Sequence, residues 1–114
     1  MTNSVSDRLD HVFFALSDPS RRAIIRQLAK GEATVGQLGT PLPLAPATLS
    51  KHLRVLERAG LIEQVRDGRF LRTRLKPGPL WSGVSWVEEV RTMWDQQLDS
   101  LERYLRAQRD ARDE

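Results

Sequence analysis

Apolar residues recur at intervals of three and four along most of the chain, and this spacing predicts a mainly helical protein. The pattern is clearest over residues 46–58, where Leu49, Leu53 and Leu56 form one apolar stripe. Gly60 then stands where a left-handed C-terminal cap is expected. The opposite side of this helix holds small, hydroxylic or basic residues, namely Ala47, Thr48, Ser50, Lys51, Arg54 and Arg58.

Two further helices are predicted near the N-terminus. The first begins with Ser6 as its N-cap, and its apolar positions are Leu9, Val12, Phe13 and Leu16. Asp18 is a suitable N-cap for the second helix, and Pro19 suits its first turn because no N–H is needed there. The second helix is expected to bury Ile24, Ile25 and Leu28. Its arginines are interpreted as surface charges or partners in ion pairs within the domain, with contact to phosphates as the alternative: Arg21, Arg22 and Arg26.

A short helix and a turn precede the helix over 46–58. Thr34 can cap a helix over 35–39, which the prolines of the TPLPLA segment prevent from continuing. Pro46 then fits the first position of the next helix, although Ala45 is a poor N-cap. This order predicts a helix-turn-helix whose second helix suits the DNA major groove. An ordinary amphipathic helix with a solvated basic face is the alternative.

The periodicity changes after Gly60. Two stretches rich in Val, Leu, Phe, Thr and Arg, LIEQVRD and RFLRTRL, are separated at Asp67–Gly68, a strong signal for a two-residue hairpin. A hairpin directly after a helix-turn-helix is a wing. Arg66 and Arg69 flank its tip, where they could approach the phosphate backbone or the minor groove of DNA. The alternative is that these arginines only keep an edge strand soluble.

The last part of the chain is predicted to form one long helix over about 84–108. Its apolar stripe is longer than so small a domain needs, which favours burial against a second copy of the chain. The stripe consists of Val87, Val90, Trp94, Leu98, Leu101 and Leu105. The predicted fold is therefore mainly α with a small β-hairpin wing, in a single domain over 6–108 with disordered ends at 1–5 and 109–114.

Charge and composition narrow the function classes. The net charge is +3, but residues 46–76 carry +5 and residues 84–114 carry −3, which is the footprint of a surface that binds a polyanion. The chain has no cysteine, and His11 and His52 do not supply a set of zinc ligands, so no metal and no cofactor is expected. No phosphate loop or nucleophile motif indicates an enzyme. The chain shows neither a signal peptide nor a membrane-spanning run, so a cytoplasmic protein is expected.

Two segments, ALSDPSRRAII and VGQLGTPLPLAPATLSKHLRVLERAGLIEQVRDGRFLRTRL, resemble the ArsR-type winged-helix transcriptional regulators of bacteria. The similarity extends from about Leu9 to Leu105 and is strongest to the branch without metal-binding cysteines. It implies a homodimeric repressor that binds an imperfect palindrome. The dimer interface would be formed by the first helix, with Leu9, Val12 and Phe13, and by the last helix. The positions matching the family's base-reading surface are Pro46, Ala47, Thr48, Ser50, Lys51 and Arg54.

These observations favour a sequence-specific DNA-binding regulator. The alternative is a winged-helix protein-interaction module that does not read DNA, and the basic block over 46–76 argues against it. A small-molecule inducer, unidentified, is a further expectation, with a pocket lined by Trp81, Trp86 or Trp94. The same tryptophans can instead belong to the core or to the dimer seam.

Overall fold

Five helices and three short strands form the chain in the computed structural model, which describes residues 4–113. In order they are α1 (Ser4–Leu16), α2 (Pro19–Ala29), β1 (Ala33–Thr34), α3 (Val35–Gly39), α4 (Pro46–Arg58), β2 (Ile62–Asp67), β3 (Phe70–Leu75) and α5 (Gly78–Asp113). The described residues are mainly helical with one small antiparallel sheet, which confirms the predicted winged helix-turn-helix class. The chain divides into two compact units, the first ending at Gly83 and the second beginning at Val84.

A side-chain cap fixes where α2 begins. Asp18 Oδ1 accepts hydrogen bonds from the backbone N–H groups of Ser20 at 2.8 Å and Arg21 at 3.1 Å, as expected of an N-cap. Desolvation alone would raise the pKa of the Asp18 carboxyl. The two N–H donors, together with the nearby positive charge of Arg21, outweigh that effect, so the pKa lies below its ordinary value.

A reciprocal capping box fixes the start of α3. Thr34 Oγ1 accepts a hydrogen bond from the backbone N–H of Gln37 at 3.2 Å. The Gln37 side chain accepts one in return from the backbone N–H of Thr34 at 2.9 Å. The predicted cap at Thr34 is confirmed, and the helix-turn-helix consists of α3, the turn after it and α4.

The three strands form an antiparallel sheet in the order β1-β3-β2. β2 and β3 are the predicted hairpin, and their register pairs Asp67 with Phe70, which leaves Gly68 and Arg69 as the two turn residues. Gly68 has a φ of 62°, which glycine adopts without steric cost. β1 was not foreseen, because a strand of two residues is too short to show an alternating pattern.

The core of the first unit is formed by apolar side chains of α1, α2, α3 and α4 and of the segment that enters β2. Its largest fully buried apolar side chains are Val12, Ile24, Leu38, Leu56, Leu61 and Ile62. The prediction of Val12 as a dimer-interface residue is wrong, because its side chain is 0% exposed within this core. It has no accessible surface to offer a partner.

Helix α1 begins earlier than the sequence predicts. It starts at Ser4, so Ser6 lies within the helix and is not its N-cap. Residues 4 and 5 are therefore helical, although disorder is expected there from the sequence. The rest of that expectation, for residues 1–3, lies outside the described residues.

Helix α5 is longer at both ends than the predicted helix over 84–108. It starts at Gly78, because Pro79 in the first turn lacks only an N–H group that a helix start does not use. It continues to Asp113, so residues 109–113 are helical and not disordered, while residue 114 lies outside the described residues.

The second unit consists of α5 from Val84 onward, and its apolar stripe is largely accessible. Trp94 is 64% exposed, and the leucines that follow it in the stripe are 52–57% exposed. Val87 is also exposed, whereas Val90 is partly buried. The six stripe residues therefore present an apolar face along this helix.

Candidate nucleic-acid interface

Helix α4 separates a buried face from an exposed face, as predicted. Leu49, Leu53 and Leu56 are at most 6% exposed and belong to the core. Because residues three and four apart share a face of a helix, the polar positions group on the other side. The structure leaves every candidate base-reading residue exposed: Pro46, Ala47, Thr48, Ser50, Lys51 and Arg54.

The N-terminal end of α4 lacks a side-chain cap, as expected from Ala45. The first backbone hydrogen bond of the helix runs from the Leu49 N–H to the Ala45 carbonyl at 3.0 Å. The N–H groups of Ala47 and Thr48 therefore have no side-chain acceptor at this helix end. Open N–H donors and the helix dipole together favour negative charge at such a terminus.

Ion pairs neutralise one face of the wing. Arg72 Nε lies 2.8 Å from Asp67 Oδ2. Glu63 pairs with Arg74 and also lies 3.7 Å from Lys76 Nζ. The hydrogen bond donated by the Arg74 guanidinium holds the pKa of the Glu63 carboxyl below its ordinary value. These cations are already compensated within the hairpin.

The four cations predicted to contact DNA have no such partner. Lys51, Arg54, Arg66 and Arg69 form no ion pair with any residue in the described range 4–113. Arg69 lies in the hairpin turn, and Arg66 is opposite Leu71 near the tip of the wing. Exposed cations without an internal partner remain available to an external polyanion.

A cleft of about 590 Å³ lies between α4 and the wing. Ser50 and Arg54 line it from α4, and Arg69, Phe70 and Leu71 line it from the wing. The structure therefore brings residues from both predicted DNA-binding segments to one surface. Two other candidates, Lys51 and Arg66, lie outside the lining of this cleft.

Arg21 is buried, so its interpretation as a surface charge or as an ion-pair partner within the domain is wrong. Its side chain is 7% exposed, and it donates hydrogen bonds to the carbonyls of Ala15 and Phe14, both at 2.8 Å. Its Nη1 lies 3.2 Å from His52 Nδ1 on α4. The charge pattern does not reveal this role, because the sequence does not distinguish Arg21 from the adjacent Arg22, which is exposed.

The metal-ligating side chains, the helix lengths and the tryptophans of residues 4–113 bear on other kinds of ligand. Within that range no group of three or more His, Cys, Asp or Glu side chains is placed to hold a metal ion. No helix in the described part of the chain has the length and apolar character needed to cross a membrane. The tryptophans considered for an inducer pocket, Trp81, Trp86 and Trp94, are 66%, 46% and 64% exposed.

A known protein family and a known repressor are similar in sequence to this chain. A family model described as a helix-turn-helix domain matches residues 16–65. The transcriptional repressor SdpR of Bacillus subtilis (strain 168) is 32% identical over 79 residues, which cover 69% of this chain and 88% of SdpR.

Solved structures share the fold. A crystal structure of an ArsR family transcriptional regulator superposes with a TM-score of 0.75 and 32% identity, covering 83% of this chain and 97% of that one. The solution structure of a homodimeric winged helix-turn-helix DNA-binding domain from Mycobacterium bovis has a TM-score of 0.63 and 25% identity, covering 79% and 85%. The chain therefore belongs to the ArsR family of winged helix-turn-helix transcriptional regulators.

Proposed function

We propose that this protein is a homodimeric repressor that binds an imperfect DNA palindrome, with α4 in the major groove and the wing tip on the flanking backbone. The observation that carries the proposal is the distribution of paired and unpaired cations. Lys51, Arg54, Arg66 and Arg69 lack ion pairs among the described residues, whereas the other wing cations are compensated by Asp67 and Glu63. This division leaves positive charge where a duplex would lie.

Individual residues have different roles in this proposal. Lys51 donates a hydrogen bond to guanine, and Thr48 and Ser50 contact bases or phosphate. Ala47 offers only a methyl group, which suits contact with a thymine methyl. Arg66 and Arg69 contact phosphates and add affinity without reading sequence.

Dimerisation is proposed to bury the stripe on α5 together with the accessible part of α1. Trp94 and the leucines of the stripe are more than half exposed in the protomer, and Phe13 on α1 is 38% exposed. The relative from Mycobacterium bovis is homodimeric, which supports a homodimer here. A two-fold dimer would present two α4 helices about 34 Å apart, one helical turn of DNA. A regulator of this kind acts on the bacterial chromosome, in the cytoplasm.

Selection of bound duplexes from a random DNA pool, with the purified chain at about 150 mM salt, tests the proposal. We expect enrichment of a palindrome whose half-site centres lie about one helical turn apart. Its affinity should fall steeply with salt, because each neutralised phosphate releases counterions. No enrichment by a dimeric protein would instead favour the interaction module that does not read DNA.

A further inference from the structure

Phe70 is an exposed aromatic residue at the tip of the wing. It is the first residue of β3, directly after the turn residues Gly68 and Arg69, and its side chain is 60% exposed. Solvent exposure of a large apolar side chain at a hairpin tip does nothing for the stability of the core. Phe70 therefore needs an explanation outside the packing of the protomer.

The surroundings of Phe70 point toward the candidate DNA surface. Phe70 lines the cleft between α4 and the wing together with Ser50, Arg54 and Arg69. Two of these neighbours, Arg54 and Arg69, are cations without an ion pair in the described chain. Phe70 thus shares the lining of the cleft with groups suited to phosphates, and an apolar side chain close to phosphate contacts can reach sugars and base edges.

Val65 provides an internal comparison. It is 45% exposed on β2, in the same hairpin, but it lies opposite Arg72 beside the ion-paired residues and does not line the cleft with α4. By the register of the hairpin, Phe70 lies opposite Asp67 and on the same face as Val65, so the two apolar side chains differ in their distance from the tip and not in face. Of the two, Phe70 adjoins the turn residues and lines the cleft with α4.

We propose that Phe70 enters the minor groove beside each half-site and acts as an apolar wedge against one base step. The proposal rests on the proposed DNA-binding function and adds a residue and a groove to it. The minor groove is about 6 Å wide, which admits a hairpin tip led by one flat ring. Apolar wedges partly unstack the step they contact, and flexible pyrimidine–purine steps yield most readily. Phe70 thereby makes the protein sensitive to sequence outside the bases that α4 reads.

The test uses the full chain and a duplex that the wild-type protein binds, with 2-aminopurine placed at the step expected under the wing. Wild-type protein should raise the 2-aminopurine fluorescence on binding, because unstacking relieves its quenching. Phe70→Ala should abolish this rise and weaken binding about tenfold, from the lost burial of the ring. Phe70→Leu, which keeps an apolar wedge, should recover part of both signals. Val65→Ala should leave both unchanged.

Each outcome has a distinct meaning. Equal binding and equal fluorescence for Phe70→Ala and Val65→Ala would overturn the wedge while leaving DNA binding intact. Failure of the wild-type protein to bind any selected duplex would overturn the proposed function itself. Thermal unfolding of every variant serves as the folding control, and the wedge is also overturned if Phe70→Ala loses affinity only in proportion to lost folded protein.

Discussion

Arg21 Nη1 and His52 Nδ1 lie 3.2 Å apart, and this contact joins α2 to the helix that carries the candidate base-reading residues. Arginine has no acceptor, so His52 Nδ1 must accept the hydrogen bond and the imidazole proton resides on Nε2. That Nε2 lies 4.0 Å from Asp18 Oδ1 at the start of α2. The orientation of α4 thus depends on a polar contact as well as on its leucine stripe.

Replacement of Arg21 should destabilise the fold far more than replacement of its neighbour. Arg21→Met would leave the buried Ala15 carbonyl without its Arg21 donor and would remove one donor from the Phe14 carbonyl, which keeps those of Ser17, at a cost of about 2–3 kcal/mol. Arg22→Met removes one exposed hydrogen bond to the Leu16 carbonyl and should cost less than about 1 kcal/mol. Urea unfolding at one fixed protein concentration measures both. Equal losses would show that Arg21 is not a structural residue.

Substitutions on α4 and on the wing should affect DNA binding differently. Lys51→Ala should lose about 1–3 kcal/mol of discrimination between the selected site and a site with its guanine changed. Arg69→Ala should weaken all sequences about equally and lower the salt slope by about one. Fluorescence anisotropy over a salt series measures both effects.

The matched control for these two variants is Lys30→Ala, since Lys30 is an exposed cation outside both segments and has no ion pair in the described chain. It should change neither discrimination nor slope. If Lys51→Ala kept full discrimination, the assignment of α4 as the base-reading helix would be wrong.

A charge in the α5 stripe should separate the proposed dimer. Leu98→Glu places a carboxylate in the centre of the stripe, where burial against a second copy would be costly. Gln96→Glu adds the same charge on the opposite side of the helix, about 180° away, and should leave the assembly intact. Light scattering coupled to gel filtration gives the mass of each variant. A dimeric Leu98→Glu protein would place the interface elsewhere.

Asp18 should make stability depend on pH at the acidic end. Its folded-state pKa is lowered, so its carboxylate stabilises the fold above the unfolded-state value of about 3.9, and this contribution is lost as the pH falls through the folded-state pKa. Asp18→Asn retains a capping oxygen but cannot ionise, so its stability should decline less steeply below about pH 4. The exposed Asp10→Asn is the control in acid titrations of the unfolding midpoint. Parallel curves for both variants would contradict the assignment.

Local signals in the sequence predict most of the first unit correctly. Asp18 and Thr34 cap their helices as expected, α4 has the predicted bounds, and Gly60 has the positive φ, 75°, expected of a left-handed cap. Each of these depends on chemistry within a few residues of chain, which a single sequence displays directly.

The failures concern properties set by tertiary contact. The periodicity of α1 marks Val12 as apolar but cannot say whether it faces the core or a partner, and only the packed structure shows it buried. Arg21 and Arg22 are indistinguishable in sequence, yet one is buried and the other exposed. Among the candidate site residues, burial and ion pairing distinguish cations that are available to DNA from cations that are already paired within the protein. The spacing of residues along the sequence shows neither property.

Because Ala45 offers no oxygen to the first turn of α4, the free protein leaves this helix end incomplete. In the proposed complex, a DNA phosphate accepts the N–H bonds that a serine at this position would accept from within the chain. The phosphate then takes the place of the N-cap side chain that α4 lacks. Ala45→Ser should raise the stability of the free protein by about 1 kcal/mol, while its hydroxyl competes with the phosphate and weakens binding. The choice of alanine at position 45 thus lowers the stability of the free protein and favours its affinity for DNA.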